Sequence, residues 1–193
     1  MSGLDSIIKV HSREKLLKTP IFEVEKAEFS VISGSNRSGG QILHHYRISC
    51  GDWVTVLPIV GQNAILVKQP RIGTEGMVLE TPGGAMNLDE RDPTMAAARE
   101  LEEETGLVSM RFLSLASINP NPALMSNRCH FFIALDCHLP VKRQNFPDPE
   151  ENIEPVLVPI LELDEWVRHG RVDHGLSALC IMLALKYVPK IVQ

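Results

Sequence analysis

Hydrophobic and polar residues alternate along the N-terminal part of the chain with the two-residue period of a β-strand. The alternation runs through residues 21–32, and residues 41–49 follow as a partner strand. A polar, glycine-rich stretch at 33–40 separates them and is typical of a loop. The pattern predicts a small β-rich domain over residues 1–50.

The middle of the chain changes to short, nearly continuous apolar runs bounded by turn residues. Residues 53–60 and 64–71 flank a turn at 61–63, which predicts a hairpin in a sheet that is covered on both faces. Residues 77–84 add a strand that ends in a sharp turn. Further strands are predicted over residues 108–118, 128–139 and 153–160.

Helical patterns occur in the centre of the chain and again near its C-terminal end. The central helix has Asp92 as N-cap, Pro93 at the first helical position and Gly106 as C-cap. Two more helices are predicted over residues 163–169 and 176–187. Strands interrupted by one helix and followed by others predict an α+β fold or a three-layer α/β/α sandwich.

Composition and charge narrow the classes of partner. The chain has 193 residues, of which 44% are hydrophobic, and a formal net charge of −5. This length suits one domain with a smaller appendage, and the negative charge provides no basic field for nucleic acid or an anionic membrane surface. Without an apolar leader or a membrane-length apolar run, the expected location is cytoplasmic. Four widely spaced cysteines predict reduced, structural thiols.

The central helix ends in a way that disfavours its own stability. Four glutamates occupy its last turns, at positions 100, 102, 103 and 104. Carboxylates near a helix C-terminus are unfavourable by about 0.3 to 1 kcal/mol each, and like charges three or four residues apart repel by a further ~0.2 to 0.5 kcal/mol per pair. Such a cost indicates either a solvated acidic face or a site for a hard cation such as Mg²⁺ or Mn²⁺.

The stretch from Gly84 to Leu107 resembles the Nudix box, G-x5-E-x7-R-E-U-x-E-E-x-G-U, in which U is a bulky aliphatic residue. The second half matches at every defined position from Arg99 to Leu107. In the first half, eight residues rather than seven separate Glu90 from Arg99, so that Arg91 stands where the family has its first glutamate.

This resemblance implies a fold, a cofactor and a set of site residues. The fold is a Nudix α/β/α sandwich over residues 51–193, and the cofactor is Mg²⁺, for which Mn²⁺ can substitute. Arg99 is implied to fix the rotamer of a box carboxylate, and Glu103 to take part directly in catalysis. The implied metal ligands are Glu100, Glu103, Glu104 and a backbone carbonyl near Gly83.

A second set of residues resembles the ADP-ribose pyrophosphatase branch of the family. Gln69 and Arg71 form its Q-x-R turn, which precedes an E-x-P-x-G segment at 80–84, and a proline lies sixteen residues beyond Gly106. The branch implies a homodimer built with the N-terminal domain. It also implies substrate contacts from Arg71, Glu80 and Pro122, although Arg71 and Glu80 can equally form a structural ion pair.

The expected general base lies in the acidic loop at 147–155. Glu151 is preferred because Glu151-Asn152-Ile153-Glu154 resembles the E-x-I-E stretch in which relatives place a loop carboxylate. The remaining carboxylates of this loop stay open as alternatives: Asp148, Glu150 and Glu154.

The predicted activity is a Mg²⁺-dependent pyrophosphohydrolase. Its substrate is a nucleoside diphosphate sugar of the ADP-ribose or GDP-mannose type, cleaved to nucleoside monophosphate and sugar phosphate. Two alternatives remain open. The first is the same chemistry on dinucleotides, nucleoside triphosphates or coenzymes, and the second is a non-catalytic Nudix module that senses nucleotides.

Overall fold

The computed structural model describes residues 8–31, 41–147 and 152–187. The chain divides into two compact units. The first comprises residues 1–51 and 119–127, and the second comprises residues 52–118 and 128–193. Among the described residues, no helix is long and apolar enough to cross a membrane.

The first unit contains an antiparallel sheet of strands β1 (Ile8–Lys18), β2 (Glu23–Val31) and β3 (Leu43–Ser49), in that order. The patterns of 21–32 and 41–49 predicted β2 and β3. Strand β1 was not predicted, because every residue of this strand is exposed and no hydrophobic alternation marks it.

A segment distant in sequence also belongs to the first unit. The Ile48 amide donates to the Leu124 carbonyl at 2.8 Å, and the Ser126 amide donates to the Ile48 carbonyl at 3.1 Å. Residues 119–127, which the sequence assigned to the second domain, thus join the N-terminal sheet.

The second unit is built on a seven-stranded sheet. The path of the sheet is β10-β5-β4-β9-β8, with β6 paired to β5 and β7 paired to β4. The neighbours β4 and β9 are parallel, and the other pairs are antiparallel. The strands are β4 (Trp53–Val60), β5 (Asn63–Arg71), β6 (Gly76–Glu80), β7 (Gly83–Ala85), β8 (Arg111–Ile118), β9 (Cys129–Leu135) and β10 (Glu154–Pro159).

Helices cover both faces of this sheet, as the continuous apolar strands predicted. Along β4, Val54 and Val56 pack in a cluster with Ala97 and Leu101 of helix α1 (Pro93–Thr105). The alternate residues of β4 pack instead with helices α2 (Leu163–Arg168) and α3 (Gly175–Ala184). The result is the α/β/α layering that the sequence predicted.

Helix α1 begins and ends where its capping residues predicted. The Asp92 carboxylate accepts the Thr94 amide at 2.9 Å. At the other end, Gly106 has a φ of 72°, a left-handed conformation that suits glycine, and its amide donates to the Glu102 carbonyl at 2.9 Å. These caps fix the position of the acidic residues on the helix.

Candidate active site

Arg99 joins three carboxylates at the acidic face of α1. Its Nη1 atom donates to Glu100 Oε1 and to Glu103 Oε2, each at 2.8 Å. Its Nε atom donates to Glu90 Oε1 at 2.9 Å. The guanidinium therefore offsets the repulsion that the crowded glutamates would otherwise feel, and these carboxylates raise the pKa of Arg99 above its ordinary value.

Glu90 reaches this network despite the extra residue before Arg99. Its carboxylate also accepts the Asn87 amide at 2.7 Å, which anchors it to its own loop. The hydrogen bond from Arg99 lowers the pKa of Glu90 below its ordinary value, because the guanidinium stabilises the charged carboxylate. Arg91, which the count placed at the first-glutamate position, is exposed. The loop before α1 absorbs the additional residue.

Two glycines of β7 lie directly against the acidic face. The Gly83 amide donates to Glu104 Oε2 at 2.9 Å. A Cβ atom at Gly84 would lie only 2.5 Å from Glu100 Oε1, and one at Gly83 would lie 2.3 Å from the Val54 carbonyl oxygen. Glycine at 83 is therefore needed for the close approach to the backbone of β4, and a side chain at 84 would displace the Glu100 carboxylate.

The same glycines line a pocket of about 310 Å³ in the second unit. Arg71 and Glu80 also line it and form a bidentate ion pair, with both hydrogen bonds at 2.8 Å. Glu80 is buried, whereas 45% of the Arg71 side chain is exposed. The pocket thus combines a cationic group with apolar walls that include Trp53 and Leu176.

The NUDIX domain family matches residues 52–175, which is more than half of the chain. The chain belongs to the Nudix family. Nudix hydrolases act on phosphoanhydride bonds, and the family and the α+β sandwich that the sequence predicted are both confirmed.

This Nudix protein is similar in sequence or in structure to several known proteins. It is 29% identical to the methanol dehydrogenase activator of Bacillus methanolicus over 131 residues, 66% of this chain and 69% of that protein. It is 26% identical to the GDP-mannose pyrophosphatase of Salmonella typhimurium (strain LT2) over 180 residues, 88% of this chain and 91% of that protein. A crystal structure of an ADP compounds hydrolase matches with a TM-score of 0.79 and 20% identity over 95% of each chain, which supports the fold.

Nudix hydrolases generally use a divalent cation. The carboxylates of this site are chemically suited to bind one. Carboxylate oxygens are the ligands that hard cations prefer. The side chains do not converge on one point, however. Glu100 and Glu103 meet at Arg99, whereas Glu104 turns to Gly83. Across the described part of the chain, no group of three or more acidic, His or Cys side chains is arranged around a metal position.

A clamp that the sequence did not predict holds the C-terminal end of α1. Arg143 Nη2 donates to the Glu102 carbonyl at 2.9 Å and to the Glu103 carbonyl at 2.7 Å. The buried Glu102 carboxylate accepts the Gln144 amide at 2.6 Å and Asn145 Nδ2 at 2.5 Å. The cation that a helix C-terminus favours is thus supplied from forty residues away, beyond the reach of local sequence rules.

The predicted site residues have different positions in the structure. Arg71, Glu80 and Gly83 line the pocket, and Gly83 touches the acidic face through Glu104. Pro122 lies in the segment that belongs to the first unit. Glu154 is exposed at the start of β10, in register with Lys68. Three of the candidate loop carboxylates, including the preferred one, lie outside the described residues: Asp148, Glu150 and Glu151.

His174 is a pocket residue that the sequence did not indicate. It precedes α3 as the N-cap residue, and its Nδ1 atom lies 2.8 Å from the Ser177 hydroxyl oxygen. A polar residue at the N-cap and another three positions later, at N3, is a spacing that brings side chains together at a helix start. His174 and Ser177 have this spacing in the sequence, and it is the signal from which the contact could have been predicted.

Proposed function

We propose that this Nudix protein is a Mg²⁺-dependent pyrophosphohydrolase that cleaves a nucleoside diphosphate sugar into nucleoside monophosphate and sugar phosphate. The observation that carries the proposal is the contact between the acidic face of α1 and β7, since β7 also lines the pocket. A diphosphate bound in this pocket would lie beside three carboxylates that can hold a cation. Pocket and cation site are thus neighbours, as cleavage of a phosphoanhydride requires.

The choice of substrate rests on the relatives and on the pocket together. The GDP-mannose pyrophosphatase is similar over 88% of this chain, which includes both units. A nucleoside diphosphate sugar carries anionic phosphates, polar sugar hydroxyls and a flat base. The pocket offers the corresponding groups: the guanidinium of Arg71, polar side chains, and the apolar surface of Trp53.

Glu100, Glu103 and Glu104 would hold the cation, together with a backbone carbonyl near Gly83. When bound, the ion supplies positive charge to the phosphate oxygens and makes a bound water easier to deprotonate. Arg99 keeps Glu100 and Glu103 in place through its two hydrogen bonds of 2.8 Å. Their carboxylates are thereby oriented before substrate arrives.

The remaining groups bind substrate and move a proton. Arg71, held by Glu80, is the proposed phosphate contact, and the charge of the guanidinium strengthens such a hydrogen bond. Pro122 is proposed to contact substrate as well. Glu151 is the proposed general base, because an acidic loop residue can accept the proton of the attacking water.

We further propose a homodimer that forms through the N-terminal domain over residues 1–50, in a cytoplasmic protein. The first unit supports this because its strand β1 exposes apolar side chains, among them Val10 and Leu17, the second of which is 53% exposed. Light scattering tests the proposal. A dimer has twice the mass of the 21.5 kDa chain, and a mass near 21.5 kDa would overturn it.

Product analysis tests the proposed function. The protein is incubated with ADP-ribose, GDP-mannose, a dinucleotide and a nucleoside triphosphate, in Mg²⁺ or in EDTA, and the products are identified by chromatography. The proposal predicts monophosphate and sugar phosphate from one of the first two substrates, in Mg²⁺ only. Faster cleavage of the triphosphate or the dinucleotide would contradict the substrate class, and absence of cleavage in every case would contradict the activity.

A further inference from the structure

His174 is held on one edge by two neighbours in the second unit. Its Nδ1 atom lies 2.8 Å from the Ser177 hydroxyl oxygen and 3.4 Å from Glu80 Oε2. Ser177 is fully buried in α3, and Glu80 is fixed by its bidentate pair with Arg71. These contacts restrict the orientation of the imidazole in the pocket.

The hydrogen bonds around Ser177 determine which nitrogen of the imidazole carries the proton. The Ser177 hydroxyl oxygen accepts the Thr81 amide at 2.9 Å and the Thr81 hydroxyl at 3.0 Å. Because these donors use both lone pairs, the hydroxyl proton of Ser177 goes to His174 Nδ1. Burial lowers the pKa of His174 and so favours the neutral ring. The Glu80 carboxylate acts in the opposite direction, and its effect is the smaller of the two. A neutral ring that accepts at Nδ1 carries its proton on Nε2.

The Nε2 atom is available to a bound molecule. It has no hydrogen-bond partner within residues 8–31, 41–147 and 152–187. It is also not a buried atom, so that a molecule in the pocket can reach it. His174 lines the same pocket as Gly83 and Gly84, the glycines that touch the acidic face. The pocket therefore contains an oriented N–H donor close to the place proposed for the diphosphate.

Resting on the proposed function, we propose that His174 is a substrate-binding residue that donates its Nε2 proton to an oxygen of the nucleoside diphosphate sugar. Ser177 is the positioning residue that holds the ring through Nδ1. The accepting oxygen belongs to a phosphate or to a sugar hydroxyl, since both accept hydrogen bonds. We assign this contact to substrate affinity rather than to the chemical step, because the side-chain contacts of His174 run to Ser177 and Glu80 and not to the acidic face of α1.

Steady-state kinetics on three substitutions of His174 test this assignment. The Gln side chain places its amide nitrogen near the position of imidazole Nε2, whereas the Asn side chain reaches only the position of Nδ1. We expect His174→Ala and His174→Asn to raise KM about five- to tenfold, the effect of one lost hydrogen bond, with kcat within about twofold. His174→Gln is expected to restore most of the affinity. His138→Ala, which removes an exposed histidine of the same unit that does not line the pocket, is the matched control.

Comparing KM for two substrates shows whether the acceptor is a phosphate or a sugar hydroxyl. Comparing the Ala and Gln variants shows whether the effect comes from the lost hydrogen bond or from a change in the fold. A phosphate contact raises KM equally for ADP-ribose and GDP-mannose, whereas a contact to a sugar hydroxyl raises it unequally. An unchanged KM in His174→Ala, or a Gln variant as weak as the Ala variant, would overturn the proposal.

If the wild type cleaves no nucleoside diphosphate sugar, the proposed function fails. The rise in Tm on adding ADP-ribose then decides about His174: a smaller rise in Ala than in Gln supports the contact, and equal rises or no rise overturn it.

Discussion

Removing Arg143 tests whether a distant cation stabilises the acidic end of α1. In Arg143→Ala the Glu102, Glu103 and Asn145 carbonyls each lose a hydrogen bond from the guanidinium, and the stacking of the guanidinium on Phe146 at 4.8 Å disappears. Hydrogen bonds of this kind contribute about 0.5 to 1.5 kcal/mol each, and the charge at the helix end about 0.3 to 1 kcal/mol. Water hydrates the freed carbonyl groups and replaces part of this stabilisation, so we expect the free energy of unfolding to decrease by about 2 to 3 kcal/mol in total.

Thermal and urea unfolding measure this loss. For a domain of this size, 2 to 3 kcal/mol corresponds to a decrease in Tm of about 5 to 10 °C. Arg143→Lys keeps the charge but loses the forked geometry, and about half the decrease is expected. Lys142→Ala, an exposed neighbour, is the control. If Arg143→Ala unfolds within about 1 °C of this control, the clamp does not stabilise α1 and the reasoning is wrong.

Three further predictions concern the site and the core. Gly84→Ala places a methyl group 2.5 Å from Glu100 Oε1 and is expected to lower kcat more than tenfold in a folded protein, as judged by circular dichroism; wild-type kcat would contradict the close approach. Glu151→Gln is expected to lower turnover well over tenfold with little change in metal affinity, and near-normal turnover would move the role of base to another loop carboxylate such as Glu150. Burial raises the pKa of Cys129 and Cys180 to about 12, so a thiol reagent at pH 8 should label neither until the protein unfolds; fast native labelling of either by mass spectrometry would refute this.

Local rules predicted the parts of the fold whose causes are local. The caps at Asp92 and Gly106 specify α1 by contacts within four residues, and the apolar runs specify strands that both faces of the sheet bury. Strand β1, which pairs with β2, escaped prediction because all of its side chains are exposed and no hydrophobic pattern marks it. The attachment of residues 119–127 to the first unit depends on backbone hydrogen bonds to Ile48 and on a contact between the His45 ring and the Ala123 carbonyl, all of them distant in sequence.

The candidate site shows the same division between local and distant causes. The spacing of Glu100, Glu103 and Glu104 was readable as a cation site, because residues three and four apart share a helix face. Two distant partners were not readable from this spacing: the Gly83 amide, twenty-one residues from the Glu104 carboxylate that it binds, and Arg143, forty residues from the Glu103 backbone carbonyl that it binds. Contacts of this range depend on how the strands are ordered in the sheet, which periodicity does not determine.

The most direct test of the account is phosphate release from ADP-ribose and GDP-mannose by wild type and Glu103→Gln. Alkaline phosphatase, added in excess, releases phosphate from the monophosphate products but not from the intact substrates. Glu165→Gln, which removes an exposed glutamate from α2, controls for the change in charge. The account predicts release by wild type and by Glu165→Gln in Mg²⁺, and a loss of at least a hundredfold in Glu103→Gln. Equal release by wild type and Glu103→Gln would contradict the claim that the acidic face of α1 carries the reaction.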